Sequence, residues 1–145
     1  MKKFKSCYIE ITNNCNLNCS FCPKTNREKR FMTCDEYKRV IDQIKPFCNY
    51  VYLHLMGEPL MHPHLEEILK VSEEEKIKTN ITTNGTLLKN KLDALLNASA
   101  LRKVSISAHS FEANENGKNY EEYLKGIGEF SIKFSDAGKE VVIKF

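Results

Sequence analysis

Three cysteines stand close together in one short stretch of the sequence. Cys15, Cys19 and Cys22 have the spacing C-x3-C-x2-C, and they follow an apolar segment that predicts a strand. Three thiolates this close together can hold a metal centre, and they are one fewer than the set that closes a four-iron cluster. An iron that keeps a vacant position can bind and transform a ligand, so the spacing indicates chemistry more than structure.

The size and charge of the chain limit the function classes to consider. The sequence has 145 residues, enough for one domain with a sizeable core. Its 22 basic and 19 acidic residues give a net charge of +3, too balanced to indicate a nucleic acid or a membrane surface as partner. No apolar run has bilayer-spanning length, and the segment after the basic start is too polar for a signal peptide. We therefore expect a cytoplasmic protein.

The cysteines are expected to be thiols rather than disulfides, because six cysteines suggest a disulfide framework only in an exported chain. Cys7, Cys34 and Cys48 lie outside the cluster and are predicted to be small buried residues. Two alternatives remain open for the cluster itself. One is a zinc site with a histidine as the fourth ligand, and the other is a thioredoxin-like dithiol formed by Cys19 and Cys22.

Strand-like and helix-like segments alternate along the chain. Tyr-, Val- and Ile-rich segments predict strands over residues 7–12, 50–56, 79–83, 103–108 and 140–145. Such alternation predicts parallel strands joined by right-handed crossovers. We expect an α/β fold with about five units, either a partial barrel or a short doubly wound sheet. Because the last predicted strand reaches Phe145, we expect one domain over residues 1–145 that is truncated or completed by another chain.

The segments between these strands carry apolar residues at helical spacing. This spacing predicts four helices, marked by apolar positions within residues 37–44, 65–69, 88–96 and 120–134. Thr33 and Glu36 form a capping box at the start of the first. Two Asn-Gly pairs, at residues 84–85 and 116–117, predict turns.

The residues that could bind a ligand or take part in a reaction follow the predicted strands. Gly57, Glu58 and Pro59 follow the second strand, Asn84 follows the third, and Ser107 lies near the end of the fourth. In parallel α/β folds, ligands bind beyond the carboxyl ends of the strands. We therefore expect these residues and the cysteine loop to meet at one rim of the sheet.

Together these motifs resemble the radical SAM (S-adenosylmethionine) family. The hallmark of that family is C-x3-C-x-Φ-C, with Φ aromatic, after the first strand of a partial (β/α)6 barrel. Cys15, Cys19, Phe21 and Cys22 match it, and residues 57–59 match the family's glycine-glutamate-proline motif. The resemblance runs in order across essentially the whole chain. It implies a partial, TIM-like barrel of parallel strands.

The resemblance also implies cofactors and a reaction. The three cysteines would hold three irons of a [4Fe–4S] cluster, and the fourth iron would take the amino and carboxylate groups of S-adenosylmethionine. One electron passed to the sulfonium would break a carbon–sulfur bond, giving methionine and a 5′-deoxyadenosyl radical that abstracts hydrogen from an unknown substrate. The electron would come from a donor such as a flavodoxin or a ferredoxin. The cofactors carry this chemistry, while the protein supplies geometry and a dry site.

The resemblance implies cofactor-binding roles for five residues. Glu58 offers a carboxylate to the cofactor's ammonium group, and Gly57 lets the backbone approach a ligand closely. Phe21 is expected to pack near the adenine, and Ser107 to contact the carboxylate or the ribose. Asn84 lies at the same rim.

Two other functions are compatible with the sequence. One is a binding module that holds the cluster, or the cluster and the cofactor, without turnover. The other is an activating enzyme that makes a glycyl radical on a partner protein. Neither the substrate nor the partner follows from the motifs, because one fold hosts many functions.

The four histidines are expected to have modest roles. His54 lies inside the second predicted strand and is predicted to be a core histidine with a satisfied hydrogen bond. His62 and His64 flank a proline at a helix start, where capping or exposed positions are expected. His109 follows the fourth strand and is placed at the same rim as the motifs.

Overall fold

A single sheet of five parallel strands organises the protein. The computed structural model describes residues 3–112 and 119–145. The strands are β1 (Phe4–Tyr8), β2 (Cys48–Tyr52), β3 (Lys78–Thr83), β4 (Leu101–Ser107) and β5 (Glu140–Lys144). The helices are α1 (Cys34–Ile44), α2 (Leu65–Glu74), α3 (Leu88–Asn97), α4 (His109–Glu112) and α5 (Tyr120–Asp136), with a 3-10 turn at Pro59–Met61.

The strand order distinguishes a barrel-like sheet from a doubly wound one. The strands lie in the order β1-β2-β3-β4-β5, and each neighbouring pair is parallel. Right-handed crossovers between consecutive neighbours place the connecting helices on the same face of the sheet, whereas a doubly wound sheet reverses its order and has helices on both faces. The prediction of an α/β fold with a partial TIM-like barrel is confirmed.

The core lies between the sheet and the helices. Val51, Ile81 and Val104 are fully buried on the helix-facing side of the sheet. The buried hydroxyl of Tyr37 in α1 is 2.7 Å from the hydroxyl of Ser72 in α2, so the polar atoms enclosed there have partners. Burial of the apolar side chains, such as Val51, Ile81 and Val104, stabilises the packing of the helices against the strands.

The first two strands end earlier than the sequence predicts. β1 ends at Tyr8 and β2 at Tyr52, whereas the predicted segments ran over residues 7–12 and 50–56. After β1 the chain leaves the parallel ladder, and Thr12 forms an isolated antiparallel bridge with Phe31. Ile11 is nevertheless fully buried. The apolar residues beyond β1 therefore reflect burial in a connecting segment, which alternation alone does not distinguish from a strand.

The predicted helices are confirmed, and two short elements were missed. Thr33 and Glu36 form both hydrogen bonds of the capping box at α1. α4 and the 3-10 turn are too short to show a periodic pattern. The predicted turn at residues 84–85 is present, with Gly85 at a φ of +81°; the one at residues 116–117 lies outside the described residues. Across the described ranges, none of the helices is long and apolar enough to span a bilayer.

The cysteines outside the cluster behave largely as expected. All six cysteines lie in the described part of the chain and are thiols rather than disulfides. Cys48 is fully buried, whereas Cys7 and Cys34 are half-buried and pack against the core. The prediction of small core residues is confirmed for Cys48 and holds in part for the other two.

Helix α5 offers a direct test of its folding energetics. Gly126 is exposed in the middle of this helix, and a Cβ added there would meet no heavy atom within 4 Å. Alanine is favoured over glycine in a helix interior by about 0.5–1 kcal/mol. We expect Gly126→Ala to raise the free energy of unfolding by that amount in urea denaturation. A loss of stability would show that α5 departs from a regular helix at this position.

Candidate functional site

One cleft collects the residues that the motifs single out. It has a volume of about 730 Å³, within the range of small-molecule sites. The cysteine loop forms one side, and the segments at the carboxyl ends of β2, β3 and β4 form the other. Its lining includes every predicted site residue, namely Cys15, Cys19, Phe21, Cys22, Gly57, Glu58, Asn84 and Ser107.

The three loop cysteines differ in exposure. Cys15 is exposed, Cys22 is half-buried and Cys19 is buried. The amide of Cys22 donates to the carbonyl of Cys19 at 3.1 Å, which closes a tight turn between them. The Cys19 thiol lies 3.9 Å from the carbonyl oxygen of Ser110 in α4, so the loop packs against the segment that follows β4.

The electrostatics of Cys15 reflect its neighbours. Although Cys15 is exposed as a residue, partial burial raises the pKa of its thiol, and the charges of Glu58, Cys19 and Cys22 raise it further, whereas a backbone hydrogen bond at Leu17 lowers it. The charges couple this thiol to the other two loop cysteines. Cys15 is therefore mainly a protonated thiol at neutral pH, and binding of a metal releases its proton.

The donor set fits an iron–sulfur cluster. Within residues 3–112 and 119–145, no three His, Cys, Asp or Glu side chains converge on a point where they could hold one metal ion. Cysteine thiolates bind a [4Fe–4S] cluster through its separate irons. Their sulfur atoms therefore do not have to meet at one position. Three thiols that border one cleft suit this arrangement.

Hydrogen bonds tie together the two ends of the cysteine loop. The side chain of the buried Asn13 donates to the carbonyl of Glu28 and accepts from the amide of Arg30, both at 2.9 Å. The Thr12 hydroxyl donates to the Arg30 carbonyl, also at 2.9 Å. These residues were missed by sequence reasoning, although two asparagines directly before Cys15 were a signal. They join the segment that enters the loop to the segment that leaves it.

Gly57 brings the second motif against the start of the loop. Its φ is +82°, and an added Cβ would lie 2.6 Å from the carbonyl oxygens of both Thr12 and Asn14. The next amide, that of Glu58, donates to the carbonyl of Asn14 at 2.7 Å. A glycine is therefore required here because the backbone of the cysteine loop lies so close. The predicted reason, close approach of a ligand, is not needed to explain this glycine.

The carboxylate of Glu58 is held by three protein donors. Oε1 accepts from the Thr83 hydroxyl at 2.6 Å and the Leu60 amide at 3.1 Å, and Oε2 accepts from the Asn84 amide at 2.7 Å. The residue is only 2% exposed. Burial raises the pKa of Glu58, and the three hydrogen bonds oppose that shift. A carboxylate has about four acceptor positions, so Oε2 retains one for a further donor. The predicted contact with a cofactor ammonium stays a prediction.

The amide of Asn84 connects the end of β3 to the cysteine loop. Its nitrogen donates to Asn16 Oδ1 at 2.9 Å, and its oxygen accepts from the Thr86 hydroxyl at 2.7 Å. Asn16 in turn donates to the Thr86 hydroxyl at 2.8 Å. From α5, the Tyr123 hydroxyl donates to the Asn84 carbonyl at 2.6 Å. Asn84 therefore positions the loop, and its contact with a cofactor stays a prediction.

Phe21 and Ser107 both line the cleft. Phe21 is 56% exposed, and its ring lies 5.0 Å from the ring of His109. Ser107 is half-buried at the end of β4. The exposed face of Phe21 is free to pack against a planar ligand. The roles predicted for both residues toward adenine, ribose or carboxylate stay predictions.

One histidine differs from expectation. Nδ1 of His54 is buried without a hydrogen-bond partner in the described structure, so the prediction of a satisfied core histidine is wrong. His62 is 1% exposed, its Nε2 lies 2.8 Å from the Met32 carbonyl, and its Nδ1 accepts from the His64 amide. Of the predicted capping or exposed positions, His62 is therefore a buried residue that accepts the backbone amide in front of α2, and His64 is exposed.

Comparison with known proteins identifies the family. The sequence model of the Radical SAM superfamily matches residues 9–139. The chain belongs to the radical SAM superfamily. Enzymes of this family use a [4Fe–4S] cluster and S-adenosylmethionine, which are the cofactors predicted from the motifs.

The radical SAM relatives are longer than this chain. The GTP 3′,8-cyclase of Aquifex aeolicus is 32% identical over 145 aligned residues, which cover 93% of this chain and 45% of that protein. A tungsten-containing aldehyde ferredoxin oxidoreductase cofactor-modifying protein of Pyrococcus furiosus is 32% identical over 92 residues, covering 61% and 26%. SuiB of Streptococcus suis bound to S-adenosylmethionine superposes with a TM-score of 0.75 at 27% identity, covering 98% and 34%. This chain therefore spans less than half the length of each.

His54 makes the stability of this radical SAM chain depend on pH. Burial, with a contribution from the charge of Lys144, lowers the pKa of His54 from 6.5 to about 4. Below pH 6.5 the unfolded state binds a proton that the folded state rejects, so stability falls as the pH drops. We expect a loss of up to about 3 kcal/mol on approaching pH 4, measured by urea denaturation.

A variant and a titration separate His54 from other acid-sensitive groups. His54→Phe is expected to reduce the slope of the stability profile between about pH 6.5 and 5.5, above the range in which most surface carboxylates titrate. Part of the slope remains, because burial also lowers the pKa of His62. Glu58 acts in the opposite sense, because a raised carboxyl pKa leaves the extra proton on the folded state. An NMR titration that places His54 at its ordinary pKa would contradict the prediction.

Glu58 can be tested for structural and cofactor-binding roles separately. In Glu58→Gln, a single side-chain oxygen has to accept from the Thr83 hydroxyl and the Leu60 and Asn84 amides. The new NH2 group of the glutamine faces at least one of these donors and cannot accept from it. We expect a fall of about 1–3 kcal/mol in the free energy of unfolding, measured by urea denaturation, with lower iron retention. Glu67→Gln, at an exposed carboxylate in α2, is the matched control. Unchanged stability with weaker S-adenosylmethionine binding would restrict Glu58 to a cofactor contact.

Proposed function

We propose that this radical SAM chain binds a [4Fe–4S] cluster through Cys15, Cys19 and Cys22 and cleaves S-adenosylmethionine reductively. The observation that carries the proposal is the convergence of the cysteine loop and the Gly57-Glu58 motif on one cleft, joined by backbone contacts. When bound, the cluster and cofactor supply one electron and a carbon–sulfur bond whose cleavage gives methionine and a 5′-deoxyadenosyl radical for hydrogen abstraction.

The protein's own contribution is to position the cysteine loop. Asn13 joins the two ends of the loop, and Asn16 holds its start against the turn that follows β3. The Glu58 carboxylate orders that same turn through its bonds to Thr83 and Asn84. A preorganised loop limits the reorganisation that cofactor binding and the reaction require.

Three side chains are proposed to orient the cofactor in the cleft. The remaining acceptor position on Glu58 Oε2 receives an N–H of the ammonium group, a charge-assisted hydrogen bond. Ser107, at the end of β4, donates its hydroxyl to the carboxylate or the ribose. Phe21 covers one face of the adenine and keeps water from it.

The electron donor and the substrate are proposed only at the level of chemistry. We propose that a small one-electron carrier, such as a flavodoxin or a ferredoxin, reduces the cluster. The relatives give no single substrate class, since one is named for GTP and SuiB has been seen with a precursor peptide. Membership of the family does not choose among such substrates.

One experiment tests the proposed reaction. The chain is loaded with iron and sulfide without oxygen, reduced with dithionite in place of the carrier, and supplied with S-adenosylmethionine. We expect 5′-deoxyadenosine and methionine to accumulate in equal amounts. Iron content without either product would favour a binding module over an enzyme, and a lack of bound iron would overturn the cluster assignment.

A further inference from the structure

The sheet face that points away from the helices, called here the inner face, has an unusual composition. Strand register places Tyr8, Tyr52, Asn80, Lys103 and Glu140 in one row across it. Barrel interiors are usually packed with branched apolar residues in such rows. This row is aromatic and polar instead, a composition that favours a ligand-binding surface over a packed interior.

Aromatic rings dominate the β1 and β2 side of the inner face. The rings of Tyr8 and Tyr52 stack at 4.7 Å, and the ring of His54 meets both edge-on at 5.7 Å. Tyr8 remains 54% exposed despite lying in a strand. The three rings therefore form a rigid platform with open aromatic surface.

Buried polar atoms without partners lie beside this platform. Nδ1 of His54 and both amide atoms of Asn80 have no hydrogen-bond partner in the described structure, and Asn80 is 0% exposed. Native proteins satisfy nearly all such groups, so these atoms indicate polar partners that the protein itself does not supply. Of the two residues, His54 lines the cleft and Asn80 does not, so a ligand in the cleft would meet His54. The imidazole of His54 is neutral at physiological pH, so it can supply one donor and one acceptor.

The charged groups around the inner face are mostly neutralised. Lys103 pairs with Glu140 at 2.9 Å, and Glu10 pairs with Arg27 at 2.7 Å. Lys144 is the charge that acts on His54. Lys24 and Lys29 also line the cleft that contains His54. A guest at His54 therefore faces hydrogen-bonding groups and lysines rather than an anionic surface.

The platform is continuous with the cleft of the cysteines. His54 lines that cleft together with Thr82 and Ser107, which end β3 and β4 on the inner face. A group held by these side chains lies in the same cavity as the three thiols. It is therefore placed for chemistry at the cofactor.

We propose that His54, with Thr82, binds the substrate through a planar nitrogen heterocycle that carries adjacent C=O and N–H groups, with the Tyr8 and Tyr52 rings as its platform. The inference rests on the proposed function, because it assigns the occupant of the same cleft. A lactam edge offers one acceptor and one donor side by side, which complements the neutral imidazole of His54 and the hydroxyl of Thr82. Its ring gains stacking contact that a simple carboxamide does not.

Binding of small probes to the whole chain tests the proposal without S-adenosylmethionine cleavage. Uridine and guanosine carry the lactam edge, N-acetylglycine amide carries a carboxamide without a ring, and phenol carries a ring without the edge. Affinities are measured by calorimetry, and the His54 ring signals are followed by NMR. We expect uridine or guanosine to bind and shift the His54 signals, with the other two probes binding at least about tenfold more weakly.

Variants connect binding to His54. His54→Phe is expected to weaken nucleoside binding by about tenfold or more, and His54→Gln, which keeps a donor and an acceptor, to restore part of it. His64→Phe, at an exposed histidine in front of α2, is the control and should bind as the parent does. Melting curves show whether each variant is folded.

The outcomes separate this inference from the proposed function. No binding of either nucleoside, equal binding by His54→Phe, or preference for the carboxamide would overturn the heterocycle assignment even if 5′-deoxyadenosine forms. If the chain binds a nucleoside at His54 but forms no 5′-deoxyadenosine, the result would support this inference and contradict the proposed reaction.

Discussion

Replacing Cys19 with alanine is expected to abolish iron–sulfur loading and, with it, all formation of 5′-deoxyadenosine. Cys19 is the buried member of the loop trio and lies against Ser110 of α4. Cys15 and Cys22 alone cannot supply the three thiolates that the motif provides for the cluster. Iron and sulfide content and product formation after anaerobic loading measure the effect.

Cys34→Ala is the matched control for this loss. Cys34 is a half-buried thiol at the start of α1 and lies outside the cysteine loop. We expect this variant to load iron and form product as the parent does, with only a small loss of stability. Product formation that survives Cys19→Ala would overturn the cluster assignment, and a similar loss in Cys34→Ala would trace it to folding.

Local patterns predicted the elements of the fold well. The capping box of Thr33 and Glu36 and the apolar spacing of four helices depend on neighbours within a few residues. The alternation of strands and helices was enough to predict a parallel sheet. Strand ends were less predictable, since Ile11 is buried as deeply in a connecting segment as in a strand.

The contacts that shape the cleft could not be predicted from local patterns, because they join residues that are far apart in the sequence. Asn16 and Asn84 are 68 positions apart, and Glu58 and Thr83 are 25 apart. Such hydrogen bonds arise only when crossovers bring strand ends together, and no periodicity marks them in advance. His54 shows the same limit, because its edge-on ring contacts with Tyr8 depend on β1 and β2 lying in register.

These long-range contacts give the two motifs a shared role. The Gly57-Glu58 segment contacts the backbone that leads into Cys15, and Glu58 orders the turn that holds Asn16 through Asn84. The second motif therefore supports the first mechanically, in addition to the cofactor contacts proposed for it. A change at Gly57 should accordingly appear at the cysteines.

Replacing Gly57 with alanine is expected to give the largest loss of stability among the predicted substitutions. Its φ of +82° alone costs a non-glycine residue about 1–2 kcal/mol. The added Cβ would also stand 2.6 Å from the carbonyl oxygens of Thr12 and Asn14, so the backbone on one side has to move. We expect the free energy of unfolding to fall by about 2–4 kcal/mol in urea denaturation.

Gly138→Ala isolates the part of this effect that comes from contact. Gly138 has a φ of +76°, close to that of Gly57, but an added Cβ there would meet nothing within 4 Å. This variant should lose only the conformational cost and retain its iron. Gly57→Ala, by contrast, displaces the segment before Cys15 and should load less iron even where it remains folded. Equal losses of stability and full iron loading in both variants would show that the second motif does not hold the cysteine loop in place.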